Sequence, residues 1–148
     1  MKRLLIALLT VAVVGFGAYV AKDKDRTVQL SIPSCGIAVQ CDRVFAASSD
    51  RLQEVIDKPD TAAYYGCYIL DHAGQNFRGL WGIQPGDEVV FGAARYRCRF
   101  LTTGWSDRGI YTDAGKPPEA DLYLCTCVPD GEEYEIYIVG LENSTGRL

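Results

Sequence analysis

The chain predicts a mainly-β fold: one closed barrel of seven to eight short strands with one or two short helices, carried behind an N-terminal transmembrane helix. Three observations predict it. The 148 residues, 48% of them apolar, suffice for one hydrophobic core but not two. From Thr27 to Leu141 short apolar runs recur between Gly- and Pro-bearing turns, the pattern of an all-β closed sheet. Before them, Leu4 to Ala21 is an uncharged, almost wholly apolar run. The chain therefore divides into residues 1–26, an anchor with a charged stem, and residues 27–148, the barrel domain.

At 1.5 Å rise per residue, the run from Leu4 to Ala21 makes a helix of roughly 27 Å, close to the hydrocarbon thickness of a bilayer. The rival reading is a cleaved export signal, which the basic start Lys2-Arg3 suits. Against it, Tyr19 stands where a cleavage site ahead of Ala21 wants a small residue. An uncleaved single-pass anchor in the cell membrane is the expectation. Basic residues on both flanks (Lys2 and Arg3; Lys22, Lys24 and Arg26) weaken the charge signal for orientation. The domain is expected on the extracellular side, because the chain begins with an export-type segment.

The elements follow in order. Thr27–Ile32 alternates like a half-buried strand, and Pro33-Ser34-Cys35-Gly36 turns it into a second, Ile37–Cys41. Ser48-Ser49-Asp50 caps a short helix with Leu52, Val55 and Ile56 on one face. Tyr64 to Leu70 reads as the next strand and leads into Asp71-His72. A turn or short helix then presents Phe77, Leu80 and Trp81. Pro85-Gly86-Asp87 opens a hairpin with arms Glu88–Phe91 and Tyr96–Leu101, and Gly104 to Glu119 is a long loop of the size that carries function. The last hairpin has arms Asp121–Cys127 and Tyr134–Leu141 around Val128-Pro129-Asp130-Gly131, where proline sets φ and glycine is expected to supply positive φ. A six-residue loop, Val128 to Glu133, makes Cys127 face Tyr134, Cys125 face Ile136 and Tyr123 face Ile138. A one-residue bulge would bring Glu133 or Glu135 beside Cys127 instead.

A net charge of −4 argues against a nucleic-acid surface, since no basic patch exists to displace phosphate counterions. Arg95, Arg97 and Arg99 do alternate on one strand face, expected to be solvated. Six cysteines suit an exported domain but admit fifteen pairings, among which sequence does not choose. If Cys127 is a free nucleophile, five cysteines remain and at least one more is unpaired. A zinc set of Cys67, His72, Cys125 and Cys127 lacks the usual Cys-x-x-Cys spacing, so neither metal nor cofactor is expected.

His72 is the only histidine, and Cys127 closes the apolar strand Leu122-Tyr123-Leu124-Cys125-Thr126-Cys127. Acyl transfer needs a sulfur nucleophile and a group that exchanges protons near neutral pH, so any cysteine–histidine chemistry runs through His72.

These pieces resemble the sortases, the surface cysteine transpeptidases of mainly Gram-positive bacteria. The matching stretches are Leu30-Ser31-Ile32-Pro33 with Gly36-Ile37, Asp71-His72 at a strand end, and Gln75-Asn76-Phe77-Arg78-Gly79-Leu80. Pro85-Gly86-Asp87-Glu88-Val89 follows, and Leu124-Cys125-Thr126-Cys127 is similar to the family's Leu-x-Thr-Cys signature. Together they span Thr27 to Leu141. The resemblance implies a sortase-like barrel with Cys127, rather than Cys125, as nucleophile and His72 as its proton partner. Cys127 would attack a sorting-signal peptide, and the thioester would pass to a cell-wall precursor amine, a pilin lysine or water. Asp71 either orients His72 or serves as a structural acid on the opposite strand face.

One departure bears on activity. The family places an arginine on the following strand, facing the cysteine, and here that position is expected to hold Tyr134. The only arginine after Cys127 is Arg147. Tyr134 can donate a phenolic hydrogen bond to an oxyanion but supplies no fixed charge. Glu132, Glu133 and Glu135 nearby disfavour a thiolate. Arg108, in the long loop, is the alternative donor. The rivals to an active enzyme are a catalytically silent module of the same fold, used for surface binding or assembly, and a disulfide-knit exported β-barrel in which Cys127 is structural.

Overall fold

The computed structural model describes residues 27–45 and 49–146. Eight strands close into one barrel: β1 (Thr27–Ile32), β2 (Ile37–Arg43), β3 (Thr61–Tyr65), β4 (Tyr68–Leu70), β5 (Glu88–Phe91), β6 (Ala94–Trp105), β7 (Leu122–Cys127) and β8 (Glu135–Asn143). Around the barrel the order is β1-β2-β3-β4-β7-β8-β6-β5, and β5 returns to β1. Two ladders, β2–β3 and β4–β7, are parallel; the others are antiparallel. Short 3-10 turns occupy Pro33–Cys35 and Leu80–Gly82, and one helix, α1, spans Ser49–Ile56. Among the described residues no helix is long and apolar enough to cross a membrane. The expected anchor at residues 4–21, Ser48 and Arg147 lie outside the described residues.

Alternation decides the faces. Leu30, Ile32, Ile69, Leu122, Leu124, Val139 and Leu141 fill the barrel, and burying each such side chain contributes about 1.5–3 kcal/mol. Tyr123, Cys125, Ile136 and Ile138 point outward from β7 and β8 into a second cluster. Arg95, Arg97 and Arg99 are exposed on β6, as period two requires. A bulge between Cys98 and Phe100 then shifts the alternation, so that Phe100 joins the outer cluster while Leu101 packs inward. The Phe100 ring lies where a Cβ on Gly140 would overlap it, which leaves β8 only glycine at that point.

Helix α1 packs Val55 against Val44 and Ala63, with Leu52, Ile56 and Tyr65 around them, so its apolar face is the one the sequence shows. Asp50 in its first turn suits the positive end of the helix dipole.

Three expectations are corrected. The single strand from Tyr64 to Leu70 is a hairpin, with Ala63 paired to Leu70 and Tyr65 to Tyr68. Its turn needs Gly66, at φ 58°, a conformation a side chain disfavours. In the β7–β8 connection, positive φ falls on Asp130 (58°) and Tyr134 (68°), not on Gly131. The hairpin register also slips by two residues: Cys127 faces Ile136, Cys125 faces Ile138, and Tyr123 faces Gly140. Two successive tight turns produce the slip. Gly131 donates back to the Val128 carbonyl at 3.1 Å and Glu135 to the Glu132 carbonyl at 3.1 Å, so strand pairing resumes only at Glu135. Alternation does not detect this, because a two-residue slip leaves every side chain on its own face.

Candidate active site

Cys127 is the exposed last residue of β7. All six cysteines are free. Burial pushes the Cys41 thiol up to about 12 and the Cys98 thiol up to about 11, and it raises Cys125 and, more weakly, Cys35. These four are poor nucleophiles, since reaction needs the thiolate. Cys125 and Cys127 share the outer face of β7, but Cys125 is 1% exposed, which decides between them in favour of Cys127.

His72 arrives on the neighbouring strand. β4 runs parallel to β7 with Leu70 level with Cys125, and the Asp71 N–H extends the ladder by donating to the Cys125 carbonyl at 3.3 Å. His72 follows two residues beyond the end of β4, as Cys127 follows two residues beyond Cys125 on β7. Both line one groove of about 590 Å³. Leu52, Ile56, Tyr65, Tyr68 and Ile136 give it apolar walls, and Ser106, Gly109 and Ile110 from the long loop close one side. That loop is folded rather than free: Trp105 and Tyr111 exchange backbone hydrogen bonds at 2.8 and 3.1 Å, and the Tyr111 hydroxyl donates to Asp107 at 2.6 Å.

Asp71 does not orient the imidazole. It is 3% exposed, accepts from Asn76 Nδ2 at 2.6 Å and from the His72 backbone N–H at 2.8 Å, and its carboxyl is raised by burial. It therefore fixes the chain leaving β4. The carboxylate on the ring is Asp57, which sequence reasoning missed. His72 Nε2 lies 2.9 Å from Asp57 Oδ1, and Gln53 Nε2 donates to the same oxygen at 2.7 Å. These bonds hold the Asp57 carboxyl below its ordinary range. The available signal was Gln53 and Asp57 four residues apart at the end of α1, with an acid where a cation is favoured.

The β8 side differs from expectation. Tyr134 does not face Cys127; it lines the same groove from its rim, 54% exposed, with its hydroxyl bonded to Glu133, which raises its pKa. The facing residue, Ile136, carries no polar group. Arg108 is not among the groove residues; it points to solvent near Asp107, at 3.8 Å. Glu133 lines the groove, and the Glu135 carboxylate accepts from the Glu132 N–H at 3.0 Å. Thr126, beside Cys127, buries Oγ1 with no partner among the described residues. Nor do any three His, Cys, Asp or Glu side chains among the described residues converge as a metal set.

No protein-family model matches the chain, and no curated protein does. Solved structures do. The chain is similar to sortase C-1 from Actinomyces oris at 19% identity and a TM-score of 0.58, over 86% of this chain and 80% of that one. The fold is that of a sortase. A pilus-related sortase C of Group B Streptococcus matches this sortase-like domain at 18% identity and a TM-score of 0.58, covering 80% of this chain and 67% of that one. Sortase E1 from Streptomyces coelicolor, solved with a tripeptide in its active site, matches at 15% identity and a TM-score of 0.55, over 82% and 93% of the two chains. At these identities the likeness concerns the fold; the chemistry rests on the groove.

Proposed function

We propose that this chain is a sortase-type cysteine transpeptidase, held in the cell membrane through residues 4–21 with its barrel on the extracellular side. The observation that carries the reading is the parallel β4–β7 ladder, which brings the exposed Cys127 and the chain's single imidazole to one groove. The groove's apolar walls suit an extended peptide, and the tripeptide in the Streptomyces coelicolor structure supports a peptide substrate. Cys127 Sγ attacks a backbone carbonyl carbon of a sorting signal. The C–N bond breaks as His72 gives its proton to the leaving amine, and a thioester remains. An acceptor amine, from a cell-wall precursor or a pilin, then attacks the thioester and returns a proton to His72, freeing the sulfur. The pilus-related relative supports a pilin acceptor. An uncoupled thiol and imidazole exist as thiolate and imidazolium in only roughly 1% of molecules at pH 7, so the reading requires mutual attraction between the two across the groove. Tyr134 is the rim hydroxyl proposed to donate to the oxyanion.

A second reading is favoured by one observation. Ile136 faces Cys127, so among the described residues no fixed positive charge stands beside the sulfur on β8. A silent sortase-fold binding module fits that flank. Trapping separates the two: the full-length chain is incubated with candidate sorting peptides and digested for mass spectrometry. An acyl adduct on Cys127 supports the transpeptidase. No adduct from any peptide, with Cys127 still open to alkylation, supports the silent module.

A further inference from the structure

We infer that Asp57 is the positioning residue of the site: it fixes the tautomer of His72 with the proton on Nε2 and so reserves Nδ1 for proton exchange in the groove. The inference rests on the transpeptidase reading for its catalytic half and on geometry alone for its structural half. Two nitrogens converge on Asp57 Oδ1, the His72 ring Nε2 at 2.9 Å and the Gln53 amide at 2.7 Å. The two nitrogens themselves are 3.4 Å apart. Gln53 Nε2 carries only hydrogens, and a carboxylate only accepts. The arrangement is therefore consistent when Nε2 of His72 carries its proton and donates it to Asp57. The other tautomer would set a bare ring nitrogen against a carboxylate oxygen, two acceptors in contact.

Placement strengthens the point. Asp57 follows the last residue of α1 and closes its final turn, donating its N–H to the Gln53 carbonyl at 2.9 Å. A negative side chain there opposes the helix dipole, and no basic residue in the last turn offsets it. The helix thus ends on an acid that its own electrostatics disfavour, and the acid's partners are the imidazole at the groove and the glutamine one turn back. Gln53 holds the carboxylate, the carboxylate holds the ring, and the ring's remaining nitrogen is left for the thiol and the leaving amine. Asp71, by fixing only the backbone of His72, does not perform this task.

The test uses the full-length chain labelled with ¹⁵N, in which a single histidine gives one unambiguous set of ring signals. With the imidazole neutral, the expected wild-type pattern has the proton on Nε2. Asp57→Ala should turn it into a mixture of tautomers. In peptide transfer the same variant should lose roughly tenfold or more in kcat while KM stays within about twofold, because orientation of the proton carrier is lost and binding is not. Asp57→Asn, which keeps an acceptor oxygen but no charge, should recover part of both readouts. A wild-type ring protonated on Nδ1, or an Asp57→Ala chain with tautomer and kcat unchanged, overturns the inference. If the wild-type chain acylates with no peptide, the transpeptidase reading falls; the ring signals still decide whether Asp57 holds His72.

Discussion

Cys127 has two flanks, and they carry opposite chemistry. Toward β4 the neighbouring chain is parallel and polar, and it delivers His72 with Asp57 and Gln53 behind it. Toward β8 the neighbour is antiparallel and apolar, and it delivers Ile136 within the outer cluster. One flank holds an imidazole bonded to a carboxylate, while the other presents an apolar side chain. The contrast teaches that one barrel can bring a sulfur and an imidazole to a common groove while the residues on its two sides differ in chemistry, so the fold alone does not fix what the groove does.

The largest expected effect tests the sulfur common to both flanks. Cys127→Ala should abolish acyl transfer without loss of stability, since the side chain is exposed. Cys125→Ala should keep transfer and lower stability by about 1 kcal/mol, the scale of a small buried truncation. Transfer by the first variant, or its loss in a folded second, refutes the assignment. On the proton-moving flank, His72→Gln should lower turnover by roughly a hundred- to ten-thousandfold, the range for one general acid–base group. On the apolar flank, Ile136→Arg should raise turnover about tenfold or more by supplying a charge that an oxyanion feels. Its stem can lie along the outer cluster with the guanidinium in the groove. A folded Ile136→Arg chain with unchanged turnover would show that this flank does not limit the reaction. Tyr134→Phe should cost about tenfold at most, because the hydroxyl is shared with Glu133. The smallest effect is on stability against pH. The Asp57 carboxyl is held below its ordinary value, so its contribution is present above about pH 4 and fades as pH falls through the depressed value. The Tm difference between wild type and Asp57→Ala should therefore vanish in acid.

Much of this contrast was legible in the sequence. Apolar alternation between turn residues marked β1 from Thr27 to Ile32 and β5 from Glu88 to Phe91 as they stand. The Asp71-His72 and Cys127 strand ends, by resemblance, marked the polar flank. The apolar flank was misread for a definite reason. Alternation settles which face a side chain takes but is blind to a slip of two, and the turn from Val128 to Glu135 consumed two more residues than its Pro-Asp-Gly core suggested. The β3–β4 hairpin hid because its turn is only Gly66 and Cys67 between two tyrosine-rich runs. Asp57 was missed for another reason: its spacing from Gln53 marks the helix end but not its partner, since it reaches His72 across fifteen residues of chain, a contact that only tertiary packing makes.

The closed strand order has a consequence for how the molecule comes into being. Every neighbour of β7 lies across a ladder, and its tie to β4 spans more than fifty residues of intervening chain while amounting to three paired positions. Contacts so distant in sequence form late, after the entropy of closing the long loop has been met. The groove that Cys127 and His72 both line therefore depends on a tie between distant stretches of chain. The groove is thus a property of the closed barrel and of neither strand alone.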